Sequence, residues 1–300
     1  MTLEQLRIFV AVAERQHVTR AAEAINITQS AASAAIAALE GRYGVALFDR
    51  IGRRIALTKA GEEFLPEARA VLARATAAER TLADLAGVKR GALTLYASQT
   101  ITNYWLPQFI ARFRALYPGI TLNVVAGNTQ QVAAATREGL ADLGFVEGAI
   151  DDPQLTSEVV ATDEMIAVFA KADPLARKSK LSIADLKKTR WVLREPGSGT
   201  RAEFKLALQR LGIAPTDLDI ALELPSNEAV LAAVAAGAGG TVVSALVADA
   251  GLRLGELATP KEPLSERTFQ VLRHRERHIS RAEAAFLALL PHRKYDPHRP

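Results

Sequence analysis

The sequence predicts two folds in series: an N-terminal, mostly helical helix-turn-helix with a wing and a long following helix, then a larger α/β domain. Three observations carry this. Over the first sixty residues, short helical periods are separated by tight turns and closed by two short strand patterns. A long helical stripe follows. From Gly91 onward, short apolar runs alternate with helical patterns, the mark of an α/β fold with mostly parallel sheets. A chain of 300 residues, 49% hydrophobic and 23% charged, has material for about two cored domains.

Leu3, Leu6, Phe9, Val10 and Ala13 keep the 3.6-residue period, so a first helix runs to about Arg15. Thr19 reads as the N-cap of a second, short helix through Ala21, Ala22, Glu23, Ala24 and Ile25. Asn26-Ile27-Thr28 makes a turn. Thr28 then caps a third helix, Gln29 to Tyr43, whose core face is Ala32, Ala35 or Ile36, and Leu39. Two short helices around a tight turn describe a helix-turn-helix. The second of the pair opens with Gln29, Ser30 and Ser33, small hydrogen-bonding groups. Such a helix start suits a DNA groove, where backbone N–H groups meet phosphate and side chains reach base edges.

After Gly44, Val45-Ala46-Leu47-Phe48 and Ile55-Ala56-Leu57-Thr58 read as two short strands around the turn Asp49-Arg50-Ile51-Gly52-Arg53-Arg54, a wing. Between Arg42 and Lys59 five basic residues face one acid, so this window carries +4, as much as the whole chain. A local basic segment is the footprint of a polyanion.

On Leu6, Phe9, Ala21-Ala22, Gln29-Ser30-Ala31, Ser33, Leu39-Glu40, Gly44, Leu47-Phe48, Arg50, Leu57-Thr58 and Gly61, residues 1 to 66 resemble the winged helix-turn-helix of the LysR-type transcriptional regulators. The expected DNA-binding set is Thr28, Gln29, Ser30 and Ser33 on the recognition helix with Arg50, Arg53, Arg54 and Thr58 at the wing. The family often places an arginine and a second polar residue after the position of Ser33. This chain has Ala34 and Ala35 there, so the wing must carry more of the contact.

Leu65, Ala68, Leu72, Ala75, Leu82 and Ala86 recur at three- and four-residue steps, with Glu79 interrupting one position. Such a stripe marks a partner helix. A helix of about 28 residues is roughly 42 Å long, too long for one small winged domain to cover, and is expected to dimerise the chain. Gly87-Val88-Lys89-Arg90-Gly91 reads as a hinge. The expected domains are therefore 1–60, 61–90 and 91–300.

Strand patterns fall at 92–97, 121–126, 142–146, 165–170, 191–193, 220–224, 240–243 and 268–272; helical ones at 106–117, 129–138, 183–188, 200–211, 228–236 and 281–290. In α/β sheets ligands sit at helix N-termini outside the carboxyl ends of the strands. The corners Tyr96-Ala97-Ser98-Gln99-Thr100, Gly127-Asn128-Thr129, Arg194-Glu195-Pro196-Gly197-Ser198-Gly199-Thr200-Arg201 and Pro225-Ser226-Asn227 each set hydroxyl or amide groups beside helix N–H donors. Each alone reads as an ordinary N-cap; four converging on one cleft would favour an anion. In the third, two glycines allow close backbone approach and Arg201 adds a guanidinium fork. It has no P-loop lysine.

The arginine-glycine segment, Gly127-Asn128-Thr129 and Gly144-Phe145-Val146-Glu147-Gly148 resemble the effector domain of the same family, a two-lobed fold like type 2 periplasmic binding proteins. They look most like the branch containing CysL and YeiE, regulators of sulfite reduction, and more distantly the CbbR regulators of carbon fixation. The resemblance implies lobe I at about 91–162 and 268–300 and lobe II at about 163–267. It also implies a small anionic effector, sulfite or a related sulfur oxyanion, or alternatively a phosphorylated carbon metabolite. The expected effector set is Ser98, Thr100, Asn128, Thr129, Glu147, Glu195, Ser198, Thr200, Arg201 and Asn227. Glu195 would be neutralised by Arg194 or Arg201. Glu147 suits an anion that carries a proton to donate, or is itself protonated.

Catalysis finds no candidates. There is no cysteine, and the five histidines, His17, His274, His278, His292 and His298, are scattered, so neither metal nor cofactor is expected. Ser198 lies in Gly-Ser-Gly rather than a nucleophile elbow. His274 and His278 frame His-Arg-Glu-Arg-His, with the acid out of place for a zinc helix, and read as a strand end and a loop. Asp151-Asp152 precedes Pro153 in a turn. The first apolar stretch is interrupted by Arg7, unlike a signal peptide. The uncharged run 229–248 reads as helix, glycine turn and buried strand rather than a membrane span. The expected protein is cytoplasmic, with double-stranded DNA, a second copy of itself in a homodimer or homotetramer, RNA polymerase and a small anion as partners, and no membrane.

Overall fold

The structure, a computed structural model, describes residues 1–51, 54–85 and 91–291. Arg53, the expected hinge residues 87–90, His292 and His298 lie outside the described residues. The chain divides into two compact units, Met1–Val88 and, with the exception of Glu138–Leu140, Lys89–Pro300.

The first unit comprises α1 (Leu3–Arg15), α2 (Val18–Ala24), α3 (Gln29–Tyr43), β1 (Phe48–Ile51), β2 (Arg54–Leu57) and α4 (Lys59–Leu85). Thr2 and Gln5 form a capping box on α1. The cap of α2 is His17, not Thr19: Gln16 turns left-handed at φ 48°, so the helix begins early and Thr19 falls inside its first turn. Small side chains at Ala21, Ala22 and Ala32 let these helices close on Ile8 and Val12, and Ile36 rather than Ala35 completes the face. Leu6, Phe9, Leu39, Leu47 and Ala68 form an adjoining core.

The wing strands pair antiparallel, Phe48 opposite Leu57 and Arg50 opposite Ile55. The Glu40 carboxylate accepts from the backbone of Leu47 at 2.7 Å and of Phe48 at 3.1 Å, tying α3 to the wing. A Cβ at Gly61 would collide with the Leu47 carbonyl, so only glycine lets α4 pass there. On α4, Leu65, Ala68 and Leu72 pack into this unit's own core. The expected dimer stripe is thereby split: its first half is internal, while Leu82 is 67% exposed.

The second unit runs β3 (Gly91–Ser98), a π-helical turn (Ile101–Trp105), α5 (Pro107–Leu116), β4 (Ile120–Gly127), α6 (Thr129–Arg137), β5 (Leu143–Glu147), β6 (Leu155–Ala170), α7 (Ile183–Lys188), β7 (Arg190–Arg194), α8 (Gly199–Arg210), β8 (Asp219–Leu224), α9 (Asn227–Ala235), β9 (Thr241–Ser244), α10 (Ala245–Leu254), β10 (Leu257–Ala258), β11 (Ser265–His274) and α11 (Arg281–Leu287). Through Ser244 the run 229–248 is helix, turn and strand, as expected, with Gly237 and Gly239 at positive φ, but its last four residues begin α10.

Mostly parallel sheets are not what forms. β3 pairs parallel with β4 and β5, and β7 with β8, but β6 and β11 pair antiparallel with each other over ten positions. β5, β9 and β10 also join this ribbon antiparallel. β6 supplies several separate cores in turn, with β11 antiparallel beside it. Val160, Ala161, Phe269 and Val271 pack with Leu93, Trp105, Phe145 and Phe286. Further along β6, Met165, Ala167 and Phe169 pack with Trp191 and Phe204, and Ile166 and Val168 with Val230 and Val243.

Candidate functional site

In the first unit the start of α3 carries its polar groups outward. Thr28 caps the helix, accepting from Ala31 N at 3.2 Å, and its Oγ1 lies 3.0 Å from Ser30 Oγ. Gln29 Nε2 donates to Ser33 Oγ at 3.0 Å. Thr28, Gln29 and Ser30 are exposed, and Ala34 beyond them adds only a methyl. Thr58 donates to the Ala46 carbonyl at 2.8 Å and accepts from Gly61 N at 3.0 Å, so its hydroxyl fixes the start of α4. Arg50 and Arg54 sit on the two wing strands, their side chains outside what is described; Arg53 lies outside the described residues altogether.

In the second unit the four corners meet. Arg194 Nη1 donates to Asn227 Oδ1 at 2.7 Å, and Asn227 Nδ2 donates to Thr100 Oγ1 at 3.3 Å. On its other side Arg194 grips Glu195 through Nε at 2.8 Å and Nη2 at 3.0 Å, and Asn128 Nδ2 donates to Glu195 Oε1 at 3.4 Å. Thr100, Asn227, Arg194, Glu195 and Asn128 thus form one continuous chain of hydrogen bonds. Arg194 is the partner that neutralises Glu195. Arg201 is otherwise engaged, with the Arg194 carbonyl at 3.0 Å and Glu223 at 2.7 Å. Gln99 donates to the Pro225 carbonyl, and Asn103 and Tyr104 both donate to Glu228. Burial and the Glu228 charge push the Tyr104 hydroxyl up to about 12.

A second group lies beside the first. Thr129 Oγ1 donates to Glu147 Oε2 at 3.0 Å. A Cβ at Gly199 would lie 2.8 Å from that same oxygen, so the glycine is needed for the approach. Ser198 is the N-cap of α8 by position yet its hydroxyl makes no cap bond, and Ser98 Oγ is buried without a partner among the described residues. Arg267 on β11, fully buried, binds Asp163 at 2.7 Å through Nε and Thr200 Oγ1 at 3.2 Å through Nη1. Its Nη2 faces Glu147 Oε1 at 3.8 Å. Burial holds the carboxyls of Asp163 and Glu203 above the usual range even with Arg267 beside them. A cavity of about 720 Å³ runs past Thr129, Glu147, Ser198, Gly199, Arg267 and Gln270 and along α8.

Sequence reasoning named Arg194 only as a partner for Glu195 and missed Arg267 entirely. The signal for Arg267 was its phase: it shares a strand face with Phe269 and Val271, both buried. Among the described residues no group of three or more His, Cys, Asp or Glu could hold a metal ion. His274 ends β11 and His278 follows in a loop. Nor is any described helix long and apolar enough to cross a membrane.

The chain is similar in sequence and in fold to known proteins. The family model for the LysR substrate binding domain matches residues 86–294, and that for the bacterial regulatory helix-turn-helix protein of the lysR family matches residues 3–62. The chain is 37% identical over 289 residues to the HTH-type transcriptional regulator YeiE of Escherichia coli (strain K12), covering 96% of each. It is 33% identical over 244 residues to the HTH-type transcriptional regulator CysL of Bacillus subtilis (strain 168), covering 81% of each. In fold it resembles full-length CbnR solved with its target DNA, at TM-score 0.69 and 24% identity, covering 97% of this chain and 99% of that one. A helix-turn-helix with its wing, followed by a substrate-binding-type domain, is the make-up of a regulator and not of an enzyme, and the chain belongs to the LysR family of DNA-binding transcriptional regulators.

Proposed function

We propose that this regulator senses a small oxyanion in its second unit, sulfite or a related sulfur oxyanion. The observation that carries the reading is the hydrogen-bond chain Thr100–Asn227–Arg194–Glu195–Asn128, drawn from four separate strand-to-helix corners. Hydroxyl and amide groups beside helix N-termini favour a bound anion, and Ser98, Thr129, Ser198, Thr200 and Glu147 lie in or next to the same corners. Arg201 joins the set only by releasing Glu223. The sulfur chemistry is what the resemblance of the corner segments to the CysL and YeiE branch implies.

The rest of the reading follows the family. Residues 1–60 bind double-stranded DNA, with Thr28, Gln29, Ser30 and Ser33 choosing bases and Arg50, Arg53, Arg54 and Thr58 holding the backbone. Residues 61–90 link and dimerise, towards a homotetramer that contacts RNA polymerase in the cytoplasm. Residues 91–162 with 268–300 and residues 163–267 are the two lobes of the sensor.

One observation favours a second reading. A 720 Å³ cavity exceeds what a bare oxyanion fills, and its walls beside Leu193, Pro196 and Phe204 are apolar. They suit the carbon part of a phosphorylated metabolite. A thermal-shift screen of the intact protein against sulfite, sulfate, thiosulfate, phosphate and phosphorylated carbon metabolites separates the two. Sulfite should raise Tm most; a larger rise with a phosphorylated metabolite supports the second reading, and no rise with any of them removes both.

A further inference from the structure

We propose that Arg267 is the anion-binding group of the effector site, and that it takes an oxyacid oxygen still carrying its proton. The inference rests on the effector reading above and adds a residue, Arg267, and a ligand state to it. Arg267 has four guanidinium-side relationships to account for. Nε is held by Asp163 and Nη1 by Thr200. The guanidinium carbon lies 5.6 Å from the centre of the Phe269 ring, which closes one side. Nη2 is buried and makes no hydrogen bond among the described residues. A charged donor buried without an acceptor is costly, and the residue lies on the wall of the 720 Å³ cavity.

The pair formed by Nη2 and Glu147 has a definite chemistry. Glu147 Oε1 stands 3.8 Å away, too far for a direct bond. An oxygen about 2.9 Å from each would accept from Nη2 and would have to donate to the carboxylate. A hydroxyl of a singly charged, protonated oxyacid, hydrogensulfite or dihydrogenphosphate, does both. An oxygen without a proton is attracted by one neighbour and repelled by the other.

The surrounding charge points the same way. Asp163 from β6, Glu147 from β5 and Glu203 from α8 all face this one arginine. Arg210 acts on Glu203 from the outer side, and Glu266 lines the cavity beside them. Ser244 donates to the second oxygen of Asp163. Acids therefore outnumber the buried cation, and a dianion entering here adds to the excess.

Calorimetric titration of the intact protein with sodium sulfite, inorganic phosphate and sulfate at pH 7 tests this, with Arg267→Lys, Glu147→Gln and Thr100→Val as variants. Sulfite or phosphate should bind at least tenfold tighter than sulfate, which carries no proton at that pH. Arg267→Lys keeps a charge for Asp163 but has nothing at the Nη2 position, and should weaken binding at least tenfold. Glu147→Gln should shrink the preference over sulfate. If Thr100→Val weakens binding while Arg267→Lys does not, the anchor is misassigned and the effector reading stands. If the wild-type protein binds none of the three, both fail. Should Arg267→Lys not fold, Glu147→Gln decides: an unchanged preference over sulfate overturns the inference.

Discussion

Two sets of hydroxyl and amide groups stand at helix starts in this molecule, and they spend their hydrogen bonds differently. At the start of α3 the bonds are local and exposed: Thr28 serves its own helix and Gln29 reaches Ser33 one turn on. In the second unit Ser182 and Ser280 behave likewise, each in a capping box. Thr100, Thr129 and Thr200 do not. Their hydroxyls are buried and bond to Asn227, Glu147 and Arg267, groups on other elements. An exposed group satisfied by a neighbour can exchange that neighbour for a base edge at little cost. A buried group bonded across elements holds two elements in register, and whatever ligand enters must replace or complete those bonds.

The largest effect expected from this difference is at Arg267. Arg267→Ala leaves Asp163 and Glu147 buried without their cation and should cost about 3–5 kcal/mol, read as a lowered urea midpoint. A loss below about 1 kcal/mol would mean the cluster behaves like a surface pair. The first unit offers the next contrast, along α4. Ala68→Glu places a carboxylate in a site with no exposure and should destabilise that unit by several kcal/mol. Leu82→Glu, on the exposed half, should leave its melting unchanged and shift the sedimentation of the assembly towards smaller species. If both variants melt early and sediment alike, α4 does not divide into an internal and an intermolecular half.

Exposed groups on α3 should show smaller, sequence-selective effects. Gln29→Ala should cost about 1–3 kcal/mol at particular bases, whereas Arg54→Ala should weaken all sequences alike and flatten the salt slope by about one contact. A salt slope untouched by Arg54→Ala would remove the wing from the backbone contacts. The smallest effect is one of pH. Burial raises the Glu203 carboxyl above its usual value, with Arg267 and Arg210 opposing. A carboxyl raised on folding favours the folded state while protonated, so its contribution is present at low pH and is lost as pH rises through the raised value. Glu203→Gln should therefore be the more stable protein at neutral pH, with the difference vanishing below the ordinary carboxylate range. The opposite slope would mean that Arg267 and Arg210 outweigh burial.

The same contrast explains what could be read from the chain beforehand. Periodicity located α1, α3, α6 and α8 and the strands of the two cores, because each buries one regular face. Thr19 misled because a cap depends on where the chain turns, and that turn is a left-handed Gln16. The early part of β6, Leu155-Thr156-Ser157-Glu158, was missed because its polar side chains resemble a loop until β11 is laid against them. α10 was missed because its Ala-Leu-Val start continues the apolar run of β9. The corners of the proposed effector site were legible as residue types, since hydroxyls beside glycines mark helix starts. Which of them cap and which reach across was not, because that depends on Asn227, Arg194 and Arg267, distant in sequence.

The central claim is that hydroxyls bonded away from their own helices mark the effector site. The most direct test compares Thr100→Val with Ser182→Ala in calorimetric titrations of sulfite into the intact protein. Losing a hydrogen bond near a charged ligand costs about 1.5–3 kcal/mol, so Thr100→Val should weaken sulfite binding by that amount. Ser182→Ala should cost about 1 kcal/mol of stability and leave the affinity unchanged. Equal affinities in the wild-type protein and Thr100→Val, or an equal loss in Ser182→Ala, would contradict the account.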